Sequence, residues 1–186
     1  SGKLFTGTDS GTLLNPAQWL IDAIGGGAVL TPEQAAKNSN VAACVSILAD
    51  DIGKLPIHTF NNQKKDIGMK HPVAKLLYER PNPFMSAFVF KQTIQGHIGI
   101  YGNGIAYIKW GPDGYPVALW PLDPVRTFVQ LDAATGTLHY RTQNAQGEVY
   151  DLKPDEVLHF KAFTRDGIIG IPPWKTLIDE LDSQNA

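Results

Sequence analysis

The chain has 186 residues, a formal net charge of −2 at pH 7, and a composition that is 43% hydrophobic and 18% charged. This hydrophobic share suits one packed domain and argues against disorder over most of the length. Proteins that bind duplex nucleic acid tightly cluster Lys and Arg, whereas here only Lys64 and Lys65 are adjacent. Tight DNA binding is therefore not expected, although loose passage of DNA past the chain is compatible with the composition.

The single cysteine, Cys44, excludes an intramolecular disulfide and a cysteine-based zinc cluster. No apolar run approaches the roughly 20 residues that cross a bilayer, and no signal peptide is visible. A membrane partner is therefore not expected.

The first 30 residues are predicted to be a loose lead-in that contains one short helix. Asn15 suits the N-cap, Pro16 suits the first helical position, and Gly25 suits a left-handed stop. These signals predict a helix over residues 16–24, followed by a flexible joint at residues 25–27.

The next region is predicted to be helical. Thr31 and Gln34 form a capping box, with Pro32 at the first helical position. The polar residues 38–40 are expected to divide the region into two helices. The second has an apolar stripe formed by Val41, Cys44, Val45, Leu48 and Ile52, so Cys44 is interpreted as a packed thiol and not as a nucleophile.

A strand and two more helices are predicted before Gly102. The strand covers Leu55–Phe60 and enters a turn at Asn61-Asn62. The first helix runs from about Pro72 to Glu79 and is stopped by the prolines of the segment 80–83. The second begins at Ser86 and ends at Gly102. Its apolar stripe consists of Ala87, Phe90, Ile94, Ile98 and Tyr101.

Short β segments separated by turn residues follow. The predicted strands are Ile105–Trp110, Val117–Trp120, Arg126–Leu131, Thr137–Arg141, Glu148–Leu152 and Val157–Phe160. Connections this short cannot cross over to a parallel neighbour, so the strands are expected to form an antiparallel meander. A last helix is expected to begin near residues 172–174. The predicted fold class is α+β, with helices followed by an antiparallel β meander.

The five histidines do not have the spacing of a metal site. They are His58, His71, His97, His139 and His159, and no two share one helical turn. His58, His139 and His159 fall in predicted strands, where a surface or hydrogen-bonded structural role is favoured over metal ligation.

Other candidates for chemistry have simpler interpretations. Asp50 and Asp51 are neighbours on a helix, about 100° apart around its axis, so they cannot chelate one ion together. Glu33 lies in a first helical turn, where its charge favours the helix dipole. The glycine-rich run 99–104 follows a helix and precedes a strand, which is the reverse of the order that a phosphate cradle needs.

The aromatic residues of the β region, Trp110, Trp120 and Phe128, have side chains suited to stacking on bases. No basic strand accompanies them, so core or interface packing is favoured. The sequence therefore predicts no catalytic, cofactor-binding or metal-binding residues, and no cofactor.

Several segments, taken together in order, resemble the portal protein family of long-tailed bacteriophages of the lambdoid type. The resemblance covers roughly Thr31 to Trp174, and its motifs are structural punctuation and not an active site. The segments that carry it are 41–45, 52–56, His71-Pro72, Leu76-Leu77, 80–85 with Arg80-Pro81-Asn82-Pro83, Tyr101-Gly102-Asn103-Gly104, 106–108, 118–124, 155–160 and Asp166-Gly167-Ile168-Ile169-Gly170.

The resemblance implies a structural subunit and not an enzyme. It implies a dodecameric ring at one capsid vertex of the virion, assembled in the bacterial cytoplasm with capsid and scaffold proteins. The ring would dock the large subunit of terminase, anchor tail connector proteins, and let double-stranded DNA pass without tight binding.

The resemblance also implies a domain organisation. Residues 31–174 would form the peripheral wing-like α+β domain of a portal. Residues 1–30 would be the lead-in, and residues 175–186 would begin a truncated C-terminal helix. Because the family continues into long helices, a clip and a tunnel loop, the chain is expected to be an N-terminal fragment, either engineered or proteolytic. The Gly170–Trp174 segment departs from the family's usual pattern of a small residue followed by proline.

Two alternatives come from other functional classes. One is a stand-alone adaptor domain that binds a protein partner through a sheet edge or its helices. The other is a small metal-dependent hydrolase that uses Asp50, Asp51 or a histidine, which requires these side chains to converge in one pocket.

Overall fold

The computed structural model describes residues 31–37, 39–60, 71–132 and 135–175. The predicted helix at residues 16–24, the predicted turn at Asn61-Asn62 and the C-terminal residues 176–186 lie outside these ranges. Residues 173–175, where the description ends, are helical.

Within the described ranges the chain forms helices first and strands afterwards, as the sequence predicts. The helices are α1 (Pro32–Lys37), α2 (Ser39–Lys54), α3 (Pro72–Tyr78) and α4 (Ala87–Tyr101). The strands are β1 (Asn103–Trp110), β2 (Pro116–Pro121), β3 (Thr127–Leu131), β4 (Leu138–Gln143), β5 (Val149–Leu152) and β6 (Val157–Lys161), with a 3₁₀ turn at Pro154–Glu156 before β6. The α+β fold class is confirmed.

The helix boundaries follow local capping chemistry. The backbone N–H of Thr31 donates to Gln34 Oε1 at 2.9 Å, and the backbone N–H of Gln34 donates to Thr31 Oγ1 at 3.2 Å, which completes the predicted capping box. His71 Nδ1 caps α3, and the Ser86 hydroxyl caps α4. These side chains accept hydrogen bonds from backbone donors that the first helical turn leaves unpaired.

The packed face of α2 differs from the predicted stripe. Ala49 and Gly53 are buried against α4, whereas Cys44 is exposed and Leu48 is 56% exposed. A Cβ added at Gly53 would lie 2.8 Å from the Phe88 ring, so the two helices approach too closely for a larger residue. The prediction of a packed Cys44 thiol is therefore wrong, because close helix packing selects small residues and turns the bulky stripe away.

The prediction of a strand over Leu55–Phe60 is also wrong. Residues 56–59 have no regular secondary structure, and Phe60 forms only an isolated bridge. Pro56 has no N–H to give to a ladder, and the carbonyl oxygen of Leu55 accepts a hydrogen bond from Lys91 Nζ on α4. Among the described residues, the segment is thus attached to a helix and not to a sheet.

The strands are antiparallel, as predicted, and form two three-stranded sheets. The first has the order β2-β1-β6 and the second has the order β3-β4-β5. The chain does not run as one continuous meander, because β6 returns to pair with β1 through pairs such as Ile105 with His159. Pro121 is the last residue of β2, and Pro124 lies between β2 and β3, where proline cannot continue a hydrogen-bonded ladder.

Strand β1 lies at the centre of the fold and is covered on both faces. Ala106 and Ile108 join Phe90, Ile94 and Leu119 in a core between α4 and the first sheet. Ile105, which points the opposite way, joins Val129, Tyr140 and Val157 in a second core between the sheets. Because side chains alternate along a strand, β1 holds three layers together: helices, first sheet and second sheet.

Candidate functional site: the junction of helix, sheets and C-terminal loop

The chain reverses sharply where α4 meets β1. Gly102 adopts a left-handed conformation with φ of 79°, and its backbone N–H donates to the carbonyl oxygen of Ile98 at 2.9 Å. This conformation favours glycine, because an L side chain clashes with the backbone there. The reversal places Asn103 at the first position of β1, inside the molecule.

The Asn103 side chain is 4% exposed and fully hydrogen-bonded. Its Nδ2 donates to the carbonyl oxygens of Tyr101 at 3.2 Å and Gly170 at 3.0 Å. Its Oδ1 is 2.8 Å from the backbone nitrogen of Gly170, which donates to it, and 2.9 Å from His159 Nε2. An asparagine side chain has two donor hydrogens and two acceptor lone pairs, so no capacity is left for a ligand.

His159 extends this network to the second sheet. Its Nδ1 is 3.2 Å from the Tyr140 hydroxyl, and the two rings meet edge to face. Because Asn103 Oδ1 can only accept, Nε2 is the donor and Nδ1 accepts from Tyr140, which is the neutral form of the ring. Burial, helped by the positive charge of Lys161, lowers the pKa of His159 to about 4. We call the following residues the junction cluster: Gly102, Asn103, Tyr140, His159 and Gly170.

Gly170 touches the end of α4 directly. A Cβ added at Gly170 would lie 2.0 Å from the carbonyl oxygen of Gly102, and that oxygen accepts from the backbone N–H of Ala162 at 2.8 Å. A few residues later, Trp174 is buried, and its Nε1 donates to the carbonyl oxygen of Ile100 at 2.8 Å. The segment after β6 is therefore attached to α4 at two places.

The loop between β6 and Gly170 is organised by one carboxylate. Asp166 Oδ1 accepts hydrogen bonds from the backbone N–H groups of Ile168 at 2.8 Å and Ile169 at 3.0 Å, and from the Thr164 hydroxyl at 3.0 Å. These hydrogen bonds lower the pKa of Asp166, and the bond from Ile169 has the largest effect. The turn positions the backbone of Gly170 for Asn103.

A second asparagine attaches the turn between α3 and α4 to the sheet edge. Asn82 is buried, its Nδ2 donates to the carbonyl oxygen of Leu119 at 2.8 Å, and its Oδ1 accepts from the backbone N–H of Phe84 at 3.0 Å. The backbone N–H of Leu119 donates to the carbonyl oxygen of Pro81 at 2.7 Å. This turn covers part of the free edge of β2. It also projects Phe84, which is 84% exposed, against the ring of Trp120.

The structure separates the histidines. His58 is exposed outside any strand, His71 caps α3, and His97 lies in α4, while His139 lies in β4 and His159 in β6. Burial lowers the pKa of His97, an effect that Asp123 partly opposes. Within the described residues, no three His, Cys, Asp or Glu side chains lie together as a metal site requires.

The carboxylates singled out by the sequence are dispersed as well. Asp50 accepts a hydrogen bond from Gln92 on α4, and Asp51 lies 3.3 Å from Lys54 on the exposed side of α2. Glu33 is exposed in the first turn of α1. These contacts are those of helix ends and helix packing.

The aromatic residues and the glycine-rich run also have structural roles. Trp110 is half exposed, and its Nε1 donates to the carbonyl oxygen of Asp155 at 3.1 Å, while Trp120 and Phe128 are partly buried. The run 99–104 consists of the last turn of α4, the Gly102 cap and the start of β1. Its chain direction presents no helix N-terminus to an anion.

The junction cluster therefore positions parts of the fold and is saturated with internal hydrogen bonds. Asn103, His159 and Gly170 lie in three separate sequence motifs, and no local pattern connects them. Asn103 and Gly170 lie 67 residues apart, a separation at which periodicity carries no signal. None of the described helices combines the length and hydropathy that crossing a bilayer requires.

Comparison with known proteins shows one consistent relationship. The model of the family described as "Phage portal protein" matches residues 39–186. The portal protein of Enterobacteria phage HK97 is 27% identical over 152 residues, which are 80% of this chain and 35% of that protein. Protein BeeE of Escherichia coli strain K12 is 29% identical over 129 residues, which are 65% of this chain and 81% of that protein.

Solved structures with a similar fold come from related particles. A chain from the neck of an empty gene transfer agent particle, computed with C6 symmetry, superposes with a TM-score of 0.66 at 23% identity, covering 91% of this chain and 49% of that one. A chain from the neck of the native particle, computed with C12 symmetry, gives a TM-score of 0.60 at 20% identity and covers 90% of this chain and 47% of that one. The chain thus spans about a third of the HK97 protein and about half of these neck chains.

Proposed function

The chain belongs to the phage portal protein family, and we propose that it forms the peripheral, wing-like part of a portal ring subunit at one vertex of a phage capsid. The family is one of structural proteins. The observation that carries the proposal is the family match over residues 39–186, which covers the three described layers of the fold and the junction cluster.

The proposed domain covers residues 31–174. Its support is the packing of the described residues in this range, from α1, which contacts α2 and α4, to the buried ring of Trp174 on the end of α4. Residues 1–30 would precede the domain, and residues 175–186 would lead out of it into the next part of the subunit.

We propose a dodecamer as the assembly. The neck chain with the same fold comes from a particle computed with C12 symmetry, and a head-to-tail contact repeated twelve times closes such a ring. Exposed Phe84, which packs against the partly buried ring of Trp120, is a suitable surface for protein contacts, because aromatic residues are enriched at interfaces.

The function proposed for the ring is a channel for DNA during packaging and ejection. It would assemble in the host cytoplasm with capsid and scaffold proteins, dock the large subunit of terminase, and later hold tail connector proteins in the virion. The net charge of −2 supports passage of DNA without tight binding, because affinity for phosphates requires clustered cations. No catalytic step is part of this function.

Solution mass tests the proposal. A protein of portal length that contains this chain should be measured by multi-angle light scattering next to the 186-residue chain. The portal-length protein is expected to have the mass of a closed ring. If it stays monomeric under all assembly conditions, the ring function is wrong and the adaptor hypothesis takes its place. Binding of zinc or manganese by the chain, with hydrolysis that depends on Asp50 and Asp51, would instead support the hydrolase hypothesis.

A further inference from the structure

The exposed side of α2 carries an apolar stripe that has no partner among the described residues. Ile47 is 62% exposed, Leu48 is 56% exposed, and Leu55, just beyond the helix, is 55% exposed. Cys44 is exposed one turn earlier. We call these four residues the α2 stripe. They recur at intervals of three, four and seven residues, which places them on one side of the helix.

The α2 stripe is distinct from the face that packs on α4. That face has small residues, since Ala49 is buried and a Cβ at Gly99 of α4 would lie 2.9 Å from Val45. Large apolar side chains grouped on the solvent side of a helix mark a contact with another element.

We propose that residues 16–24 of the same chain cover the α2 stripe. This segment reads PAQWLIDAI, and Ala17, Leu20, Ile21 and Ile24 recur at the i, i+3, i+4, i+7 spacing of an apolar helical face. Its opposite side includes Gln18, Trp19 and Asp22. A nine-residue helix is about 14 Å long, which suits part of the roughly 24 Å of α2.

The connection between the two elements allows this contact. Residues 25–30 join the segment to Thr31, where α1 begins, and six extended residues reach at most about 20 Å. The three glycines at 25–27 let the chain turn back. A short tether also raises the effective concentration of the segment at the stripe to the millimolar range.

Residues 61–70 and 176–186, which also lie outside the described ranges, suit the stripe less well. Residues 61–70, NNQKKDIGMK, contain only two large apolar side chains and three lysines. Residues 176–186, TLIDELDSQNA, carry three carboxylates and no basic residue, and carboxylates are costly to place against an apolar stripe. Residues 16–24 carry a single charged side chain, Asp22.

The native Cys44 gives a direct test by disulfide formation in the 186-residue chain. Leu20→Cys places a second thiol on the apolar face of the segment, and Gln18→Cys places one on the opposite face with the same tether. Under mild oxidation, Leu20→Cys is expected to form an intramolecular disulfide at least ten times faster than Gln18→Cys, at a rate independent of protein concentration. Equal rates for the two variants would overturn the proposal, because the tether alone would then explain the reaction.

Thiol accessibility provides a second measurement without a crosslink. Leu20→Asp is expected to raise the rate at which Cys44 reacts with a small aromatic disulfide reagent by about fivefold or more, and Gln18→Asp is expected to leave it unchanged. Disulfide-linked dimers of the single-cysteine chain would show that the stripe binds a second copy. The same reaction rate in both variants would show that residues 16–24 do not cover it. Neither result depends on ring formation, so this proposal and the portal function fail separately.

Discussion

The Asn103 side chain pairs with both backbone polar groups of Gly170, donating to its carbonyl oxygen at 3.0 Å and accepting from its backbone N–H at 2.8 Å. This pairing joins the first residue of the central strand to a loop that follows the last strand. With His159 on the same oxygen, it fixes the helices, both sheets and the C-terminal segment relative to one another. The fold can therefore be tested most sharply at this junction.

Asn103→Ala is expected to destabilise the chain strongly. It leaves the two backbone groups of Gly170 and the Nε2 hydrogen of His159 without partners inside the protein. Such losses cost about 3 kcal/mol together, equivalent to a fall in Tm of roughly 6–12 °C for a protein of this size. Thermal unfolding measures the effect. Gln146→Ala, at an exposed turn, serves as the control, with an expected change within about 0.5 kcal/mol. Equal stability of the two variants would contradict the role assigned to Asn103.

Gly102 and Gly114 allow the cost of backbone strain to be separated from the cost of a steric clash. Both have positive φ, 79° and 76°, but a Cβ at Gly102 would lie 2.3 Å from the carbonyl oxygen of Gly170, whereas nothing lies within 4 Å of one at Gly114. Gly114→Ala should cost about 1 kcal/mol from the left-handed conformation alone. Gly102→Ala should cost at least about 3 kcal/mol, because the loop at Gly170 must move as well. Urea denaturation of the two variants gives the comparison, and similar costs would show that Gly170 moves away freely.

Because α2 packs closely on one side of α4, two glycine-to-alanine substitutions within α4 are expected to change stability in opposite directions. Gly96→Ala adds a methyl group with nothing within 4 Å and should stabilise α4 by about 0.5–1 kcal/mol through helix propensity. Gly99→Ala adds a methyl group 2.9 Å from Val45 and should destabilise the chain by about 1 kcal/mol or more, because a β-branched side chain cannot rotate away cheaply. Unfolding midpoints decide the signs. If both variants gain stability, the helices are less closely packed than described.

The lowered pKa of His159 is expected to make the stability of the chain depend on pH. Its pKa is lowered to about 4 in the folded chain, below the value near 6.5 of an unperturbed histidine. Between these values the unfolded chain binds the additional proton, so stability from this group is fully present above about pH 6.5 and is lost as pH falls toward 4. The slope from one group is at most about 1.4 kcal/mol per pH unit.

The contribution of His159 is isolated by comparing variants. Urea midpoints from pH 7 to pH 4 should fall less steeply in His159→Gln than in the unsubstituted chain. Gln146→Ala, which removes no titratable group from an exposed turn, should keep the original slope. The same slope in all three proteins would show that His159 is not buried in its neutral form.

Local chemistry explains which parts of the fold could be predicted from the sequence. The capping box at Thr31, the Ser86 cap and the Gly102 stop each depend on residues within four positions of one another, and the structure confirms all three. The ends of the β strands are predicted to within two residues for the same reason, since turn residues mark their limits.

The errors have long-range causes. The stripe through Cys44 fits helical periodicity, but the packed face of α2 was decided by how closely α4 approaches it at Gly53 and Gly99. The segment after α2 has residues typical of a strand, but the carbonyl oxygen of Leu55 accepts a hydrogen bond from Lys91, which lies 36 positions later. The return of β6 to β1 and the pairing of Asn103 with Gly170 depend on the same kind of distant contact, which no local pattern contains.

Electron microscopy of the portal-length protein tests the central proposal most directly. We expect closed rings of twelve subunits around a central channel, with the three-layered fold of residues 31–174 at the outer rim. Particles without a ring would contradict it, and so would rings in which this domain lines the channel.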